Sequence, residues 1–142
     1  AIFAAAGLER IGLRPAHSIE LDWMLPAPAQ GAIMVVGRAN EAYVLEAAAT
    51  LHDTLTATCT RIERDFLREL MGGCSTPISA LAIIEKDTLH FKGSILSIDG
   101  TQKAIIEKQI AFHQMDGAGK ALALELLQNG GKAIADSFKN AG

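Results

Sequence analysis

The stretch that decides the fold runs from residue 78 to residue 111 and reads ISALAIIEKDTLHFKGSILSIDGTQKAIIEKQIA. Apolar and polar residues alternate along much of it, which is the pattern of strands with one buried face. Turn signals interrupt it at Lys86-Asp87 and at Asp99-Gly100, and an Asp-Gly pair between such runs is a strong hairpin signal. The stretch therefore predicts an antiparallel meander of three strands, over residues 78–85, 88–98 and 101–111.

Helical patterns lie on both sides of this predicted sheet. Upstream, Asp53 can cap a helix whose apolar residues recur every three or four positions. Downstream, two helices are predicted over residues 118–129 and 131–140, with Gly130-Gly131 between them. Helices on one face of a small antiparallel sheet form an α+β domain, so α+β is the predicted fold class. The residues expected to face the core are Leu55, Cys59, Ile62, Phe66 and Leu70 in the first helix, and Leu122, Leu126, Ile134 and Phe138 in the last two.

The chain before residue 53 predicts separate helix and strand pieces. Small residues favour a helix at the start, and prolines then interrupt the pattern. The first predictions, in chain order, are a helix over residues 1–13 ending at Gly12 and a connection with several prolines over residues 14–31, which has a strand-like patch at 19–23. A strand buried on both faces is predicted over residues 32–36, followed by a helix from an Asn40 cap to His52.

Composition and charge exclude several classes of function. The 142 residues fit one ordinary domain by length, and 49% are hydrophobic but only 5% aromatic, so Ala, Leu and Ile are expected to build the core. A net charge of -3 gives no electrostatic case for binding nucleic acid or an anionic membrane. Two cysteines without a secretory pattern predict a reducing compartment, which we take to be the cytoplasm. The four histidines lack metal-ligand spacing, and the GAGKA segment at residues 117–121 lacks parts of a phosphate-binding loop.

A glycine-rich corner, Met71-Gly72-Gly73-Cys74-Ser75-Thr76-Pro77, joins the capped helix to the predicted sheet. Paired glycines can end a helix, and Pro77 stiffens the exit. From the residues alone, Cys74 is either a small buried hydrophobe or a presented thiol. The C-terminal end of a helix disfavours a thiolate, which suits a sulfur alkylated once better than a recurrent nucleophile. A disulfide between Cys59 and Cys74 is not expected.

Three arginines occupy positions that fit either a surface role or a ligand role. Arg10 lies in the last turn of the first helix, Arg38 follows the predicted strand, and Arg64 lies on the helix before the corner. Each can be a solvated charge, and Arg38 can pair with Glu41. The other charges on the helix of Arg64, Glu63 among them, are predicted to form a solvated face with ion pairs between neighbouring turns.

Three ordered motifs point to one known family. They are Gly72-Gly73-Cys74-x-x-Pro77, Glu63-Arg64 with LPAPAQGA (residues 25–32) upstream, and AAAGLERIGL (residues 4–13). Together they resemble hydroxymethylbilane synthase, also called porphobilinogen deaminase, whose corner is GGC-x-x-P and whose alanine-rich helix reads GL-x-RLGL. The chain departs from the family at Pro28-Ala29, where valine and glycine are usual, which is expected to stiffen a hinge. Because the resemblance matches only the second half of the family's usual length, we expect a C-terminal fragment.

The resemblance implies an activity, a cofactor and site residues. Enzymes of the family are transferases that condense four porphobilinogen molecules into hydroxymethylbilane, with release of ammonia, for haem and related tetrapyrroles. Their dipyrromethane cofactor is attached by a thioether to the GGC cysteine, here Cys74. Arg38 is expected to bind cofactor or substrate, while Arg10 and Arg64 are expected to bind substrate carboxylates. The catalytic carboxylate is expected in the missing N-terminal part, so no catalytic residue is assigned here and the chain alone is expected to be inactive.

The resemblance also implies domains and partners. Residues 1–31 are expected to be the end of the second domain and the hinge, residues 32–52 a strand and helix of the first domain, and residues 53–142 the C-terminal cofactor-anchoring domain. The expected partners are porphobilinogen, the growing polypyrrole and the missing N-terminal domains, with no nucleic acid and no membrane. The alternative is a non-catalytic α+β binding or regulatory module in which Cys74 is structural.

Overall fold

The computed structural model of the chain describes residues 1–70 and 76–139. Within that part, no helix is long and apolar enough to cross a membrane. The elements are α1 (Ala5–Arg10), α2 (Ala42–Ala49), α3 (Thr54–Glu69), β1 (Ile78–Glu85), β2 (Thr88–Leu96), β3 (Lys103–Ala111), a 3-10 turn (Phe112–Gln114), α4 (Ala118–Leu126), a π-helical turn (Leu127–Gly131) and α5 (Lys132–Lys139).

The three strands form one antiparallel sheet with β2 in the centre, as predicted. The β1–β2 hairpin closes with a two-residue turn, because Glu85 pairs with Thr88. The second turn is wider, since the Ser97 N–H donates to the Gln102 carbonyl at 2.9 Å and the Asp99 carboxylate accepts hydrogen bonds inside the turn. β2 and β3 are therefore shorter at this turn than the sequence predicted.

The helices cover one face of the sheet and bury the core there. Phe66 of α3 and Phe91 of β2 meet edge to face, with ring centroids 5.0 Å apart. Gly93 lies against them, because a Cβ at that position would come within 2.6 Å of the Phe66 ring. These contacts confirm the α+β class. Of the predicted core residues, Ile62, Phe66, Leu70, Leu122, Leu126 and Ile134 are buried, Cys59 and Phe138 are partly buried, and Leu55 is half exposed.

α3 and α4 approach each other closely at Gly119. A Cβ on Gly119 would lie 2.3 Å from the Ile62 carbonyl oxygen, so a side chain there would force the two helices apart. Gly117 precedes α4 with a φ of 70°, and Lys120 pairs with Glu69 of α3 at 3.7 Å. This glycine-rich segment therefore serves helix packing.

The helix is interrupted between α4 and α5, at the glycine pair that was predicted to separate two helices. Gly130 has a φ of 101°, a left-handed conformation that favours glycine, and Gly131 is buried. The break turns α5 back so that its buried Ile134 joins the core.

The two strands predicted before residue 53 are wrong. Residues 19–23 and 32–36 lie outside regular secondary structure, and Ile33 is 95% exposed. A strand forms only where a neighbour accepts and donates its backbone hydrogen bonds, and the described residues provide no such neighbour for these segments.

The two helices predicted before residue 53 exist but are shorter. α1 ends at Arg10, before Gly12, and α2 ends at Ala49, short of His52. The predicted Asn40 cap is wrong, because Glu41 precedes α2 and no side chain caps it. Neither helix has a buried face, and short helices depend on packing for their stability. The assignment of residues 1–31, 32–52 and 53–142 to three domains stays a prediction.

Candidate functional site

A cleft of about 530 Å3 lies between α3 and the segment of residues 32–35. One helix face forms its α3 side, with Thr56, Ala57, Thr60 and Arg64. The end of α2 and the residues up to Asp53 complete the lining, which is largely small or apolar. We call it the Arg64 cleft, because Arg64 is the one lining residue with a permanent positive charge.

The N-terminus of α3 is held by Asp53, as predicted. Its carboxylate accepts a hydrogen bond from the Thr56 N–H at 2.7 Å. This backbone hydrogen bond lowers the pKa of Asp53 below its usual value. Because the cap is at the cleft end of the helix, it helps hold the Thr56 face toward the cleft.

Arg64 is exposed on α3 and makes no hydrogen bond or ion pair with any other residue that the structure describes. By contrast Arg68, one turn later, pairs with Asp65 at 2.7 Å. An unpaired guanidinium beside apolar walls keeps its donors for a ligand, and its planar fork fits a carboxylate in bidentate fashion. The lining of the cleft therefore has the chemistry that suits an anionic ligand with an apolar body.

Arg10 and Arg38, the other two predicted arginines, do not line the Arg64 cleft. Arg38 is 83% exposed and pairs with Glu41 at 3.4 Å, the local pairing that the sequence had left open. Arg10 is exposed at the end of α1, and within the described chain it has no ion pair. Of the three predicted arginines, the cleft lining thus includes Arg64 alone.

Cys74, the predicted cofactor attachment point, lies outside the described residues. The chain on each side is described. Leu70 at the end of α3 is buried, and the Thr76 carbonyl accepts a hydrogen bond from the Ile78 N–H at 2.8 Å as β1 begins.

Glu63 has a different environment from the solvated face predicted for it. It is 6% exposed, and its carboxylate accepts hydrogen bonds from the Ala29 N–H at 2.6 Å and the Ala82 N–H at 2.7 Å. Burial raises the pKa of Glu63, while the two N–H donors oppose that shift. The sequence contained a signal that we did not use, because Glu63 lies four residues after Cys59 and three before Phe66, on the apolar side of α3.

Cys59 is partly buried and lies one turn before Glu63. Both residues line a shallower depression of about 350 Å3, together with residues 29–32 and 82–84. Burial raises the pKa of the Cys59 thiol, which disfavours the thiolate form that reacts. The described part of the chain contains no cluster of His, Cys, Asp and Glu that could hold a metal ion.

Comparison with known proteins places these features in a family. Residues 57–128 match the family model for "Porphobilinogen deaminase, C-terminal domain", and residues 1–46 match the one for "Porphobilinogen deaminase, dipyromethane cofactor binding domain". The chain belongs to the porphobilinogen deaminase family. The resemblance that the motifs indicated is thereby confirmed.

Several curated porphobilinogen deaminases are similar to this chain. The protein of Roseiflexus sp. (strain RS-1) is 42% identical over 135 residues, and that of Syntrophomonas wolfei subsp. wolfei is 37% identical over 140 residues. Each match covers 94% of this chain and 44% of the relative. The protein of Macrococcus caseolyticus is 37% identical, with 96% of this chain and 45% of the relative covered. The chain therefore spans less than half the length of these relatives.

The family motifs of the chain divide between two regions of its structure. In the Glu63-Arg64 pair, the Glu63 side chain is buried against the turn that contains Ala29, and the Arg64 side chain lines the cleft. Ala29, in the LPAPAQGA motif, takes a left-handed φ of 59°. Glycine adopts that conformation without strain and alanine does not, so an alanine at this position makes the turn less easy to form.

Proposed function

We propose that the chain is the cofactor-anchoring part and one wall of the substrate site of a porphobilinogen deaminase. In this proposal the whole enzyme joins four porphobilinogen units into hydroxymethylbilane and releases ammonia, in the biosynthesis of haem and related tetrapyrroles. The observation that carries the proposal is Arg64, an unpaired guanidinium on an apolar cleft in a chain of this family.

The cleft suits the substrate's chemistry. Porphobilinogen is an apolar pyrrole ring that carries an acetate and a propionate. In the proposal the ring lies against small and apolar side chains such as Ala57 and Val35, while Arg64 binds a carboxylate in bidentate fashion. Fixing the acidic arm of the substrate orients its ring for reaction.

Arg10 and Arg38 are proposed to bind the remaining carboxylates of the cofactor and substrate. Both lie in residues 1–46, the part that matches the dipyrromethane-binding family model. The Arg38–Glu41 pair is exposed, and such pairs are weak, so a carboxylate ligand can displace Glu41. In the proposal the two arginines reach the ligand from residues 1–31 and 32–52, and residues 53–142 carry the attachment point.

The dipyrromethane cofactor would supply the primer on which the polypyrrole grows. The donor set fits such a group, because a cleft of about 530 Å3 with an unpaired arginine suits a ligand with apolar rings and acidic arms. We propose that the Cys74 thiol forms the tether. A C–S bond to the aminomethyl carbon of porphobilinogen forms as the C–N bond breaks, and the thiol proton leaves with the amine as ammonia.

The tether is tested by intact-mass spectrometry. The chain is joined to the N-terminal segment of the Roseiflexus relative and supplied with porphobilinogen. We expect an added mass equal to two porphobilinogen units minus two ammonia molecules. Cys74→Ser should abolish the adduct, whereas Cys59→Ser should keep it, because burial leaves Cys59 protonated. An unmodified mass for the protein with Cys74, or an adduct that survives Cys74→Ser, would contradict the tether and favour the non-catalytic module.

We also expect the 142 residues alone not to turn over porphobilinogen, because curated relatives are more than twice as long and no catalytic carboxylate is assigned here. The measurement is release of ammonia from porphobilinogen by the purified chain. The same chain with the N-terminal segment of the Roseiflexus relative serves as the positive arm. Sustained ammonia release by the chain on its own would show that the expectation is wrong.

A further inference from the structure

Groups from elsewhere in the chain cover the outer edge of β1. β1 is an edge strand, so alternate N–H groups point away from the sheet. The Ala80 N–H donates to the Pro26 carbonyl at 3.1 Å, and the Ala82 N–H donates to Glu63 Oε1 at 2.7 Å. A backbone carbonyl from the Pro26 turn and a buried carboxylate from α3 thus satisfy two N–H groups of this edge.

The same carboxylate also holds the turn of residues 26–31. Its second oxygen, Glu63 Oε2, accepts the Ala29 N–H at 2.6 Å. Ala29 has a φ of 59°, which is unfavourable for alanine, so the turn needs an external contact to keep this shape. One side chain therefore joins three elements, which are α3, the edge of β1 and the turn.

This junction lies next to the Arg64 cleft. The wall residues 32–35 begin three residues after Ala29, and Ala32 itself lines the cleft. On the other side, Arg64 follows Glu63 directly in α3. The hydrogen bond from the Ala29 N–H to Glu63 therefore fixes the position of the cleft wall, residues 32–35, relative to Arg64.

The chemistry at the junction requires a carboxylate. Two N–H donors converge on two oxygens, and an ionised carboxylate accepts both. A glutamine offers one oxygen and an NH2 group that would face the second N–H donor. No charged side chain comes from the turn or from residues 78–84 of β1, and the titratable neighbour on α3 is Cys59. The N–H donors are thus what stabilises the buried charge.

We propose that Glu63 is a positioning residue, which pins the turn of residues 26–31 to the edge of β1 and so fixes the cleft wall of residues 32–35 opposite Arg64. The consequence for pyrrole carboxylate binding rests on the proposed function, but the pinning itself does not.

The pinning is tested by amide hydrogen exchange, measured by NMR on the whole 142-residue chain. In Glu63→Gln, exchange at Ala29 and Ala82 should rise about tenfold or more, because one N–H donor faces the NH2 group and the other keeps only a weaker, uncharged acceptor. The Phe91 amide in the sheet centre should keep its rate. The control Glu107→Gln removes an exposed carboxylate on β3 and should leave all three amides unchanged. Unchanged exchange at Ala29 in Glu63→Gln would overturn the proposal.

A second variant removes the donor of the hydrogen bond between Ala29 and Glu63. Ala29→Pro removes the N–H donor and forbids the left-handed φ, and it does so in a loop outside the core. It should shift the NMR signals of residues 32–35 in the same directions as Glu63→Gln, with little change in the unfolding midpoint. A merely structural role would instead lower the midpoint and leave the wall signals in place, which would count against positioning even if Glu63→Gln failed to fold.

Titration with porphobilinogen separates this inference from the proposed function. If the cleft binds porphobilinogen, Glu63→Gln should weaken binding about tenfold, because the wall no longer stands opposite Arg64. If the unaltered chain does not bind porphobilinogen, the proposed substrate site on this chain fails, and the exchange rates still decide the pinning. Weaker binding without faster exchange at Ala29 would overturn the pinning and leave the substrate site standing.

Discussion

Replacing Phe66 with alanine is expected to lower the free energy of unfolding by about 3–5 kcal/mol. Phe66 is completely buried and packs edge to face with Phe91, and Gly93 leaves room for its ring. The surrounding backbone of α3 and β2 cannot collapse into the resulting cavity without losing its own hydrogen bonds. Because small domains are stable by only about 5–15 kcal/mol, this change removes a large share of the total.

The measurement is urea unfolding of the 142-residue chain, followed by far-UV circular dichroism. Phe112→Ala is the matched control, because Phe112 is 53% exposed and leaves little cavity. Phe112→Ala is expected to change the free energy of unfolding by no more than about 0.5 kcal/mol, as for most exposed positions. Equal losses in the two variants would show that the core is not organised around Phe66.

Replacing Arg64 with alanine is expected to weaken porphobilinogen binding by about 10- to 100-fold, the range for losing a hydrogen bond to a charged group. The reason is that Arg64 is unpaired in the described structure and carries the permanent positive charge of the cleft. Arg64→Lys should recover part of the affinity, because lysine keeps the charge but not the bidentate fork. The measurement is NMR or calorimetric titration with porphobilinogen.

Arg68→Ala is the control for that loss. Arg68 lies on the same helix, is 77% exposed and pairs with Asp65 outside the cleft, so its removal changes net charge equally without touching the proposed site. We expect little change in affinity. If Arg68→Ala weakened binding as much as Arg64→Ala, the attraction would be a general charge effect and the cleft assignment would be wrong.

Sequence reasoning worked best where local chemistry decides the structure. The alternation in residues 78–111 and the turn at Asp99-Gly100 predicted the meander, because strand register follows from which side chains must face the core. Asp53 was predicted as a cap since its side chain reaches a backbone N–H three residues ahead. Gly130-Gly131 marked a helix break because glycine permits the left-handed turn.

It failed where a segment depends on a distant partner. The apolar run of residues 32–36 has strand composition, but no described strand lies beside it to accept its hydrogen bonds. Glu63 was interpreted as a surface charge, because helix periodicity alone does not reveal the edge N–H of Ala82 or the turn N–H of Ala29. The family motif singled out Arg64. Helix periodicity alone did not distinguish Arg64 from Arg68.

By itself, the amino-acid sequence determined the family, the α+β class, the order of the three strands and most of the core residues predicted in the helices. These follow from periodicity, turn chemistry and short motifs, which act over a few neighbouring residues. Only the tertiary structure decided that Glu63 is buried while Arg64 lines a cleft. A carboxylate is stable inside a protein only where donors converge on it, and here they come from residues 34 positions before it and 19 after it in the chain.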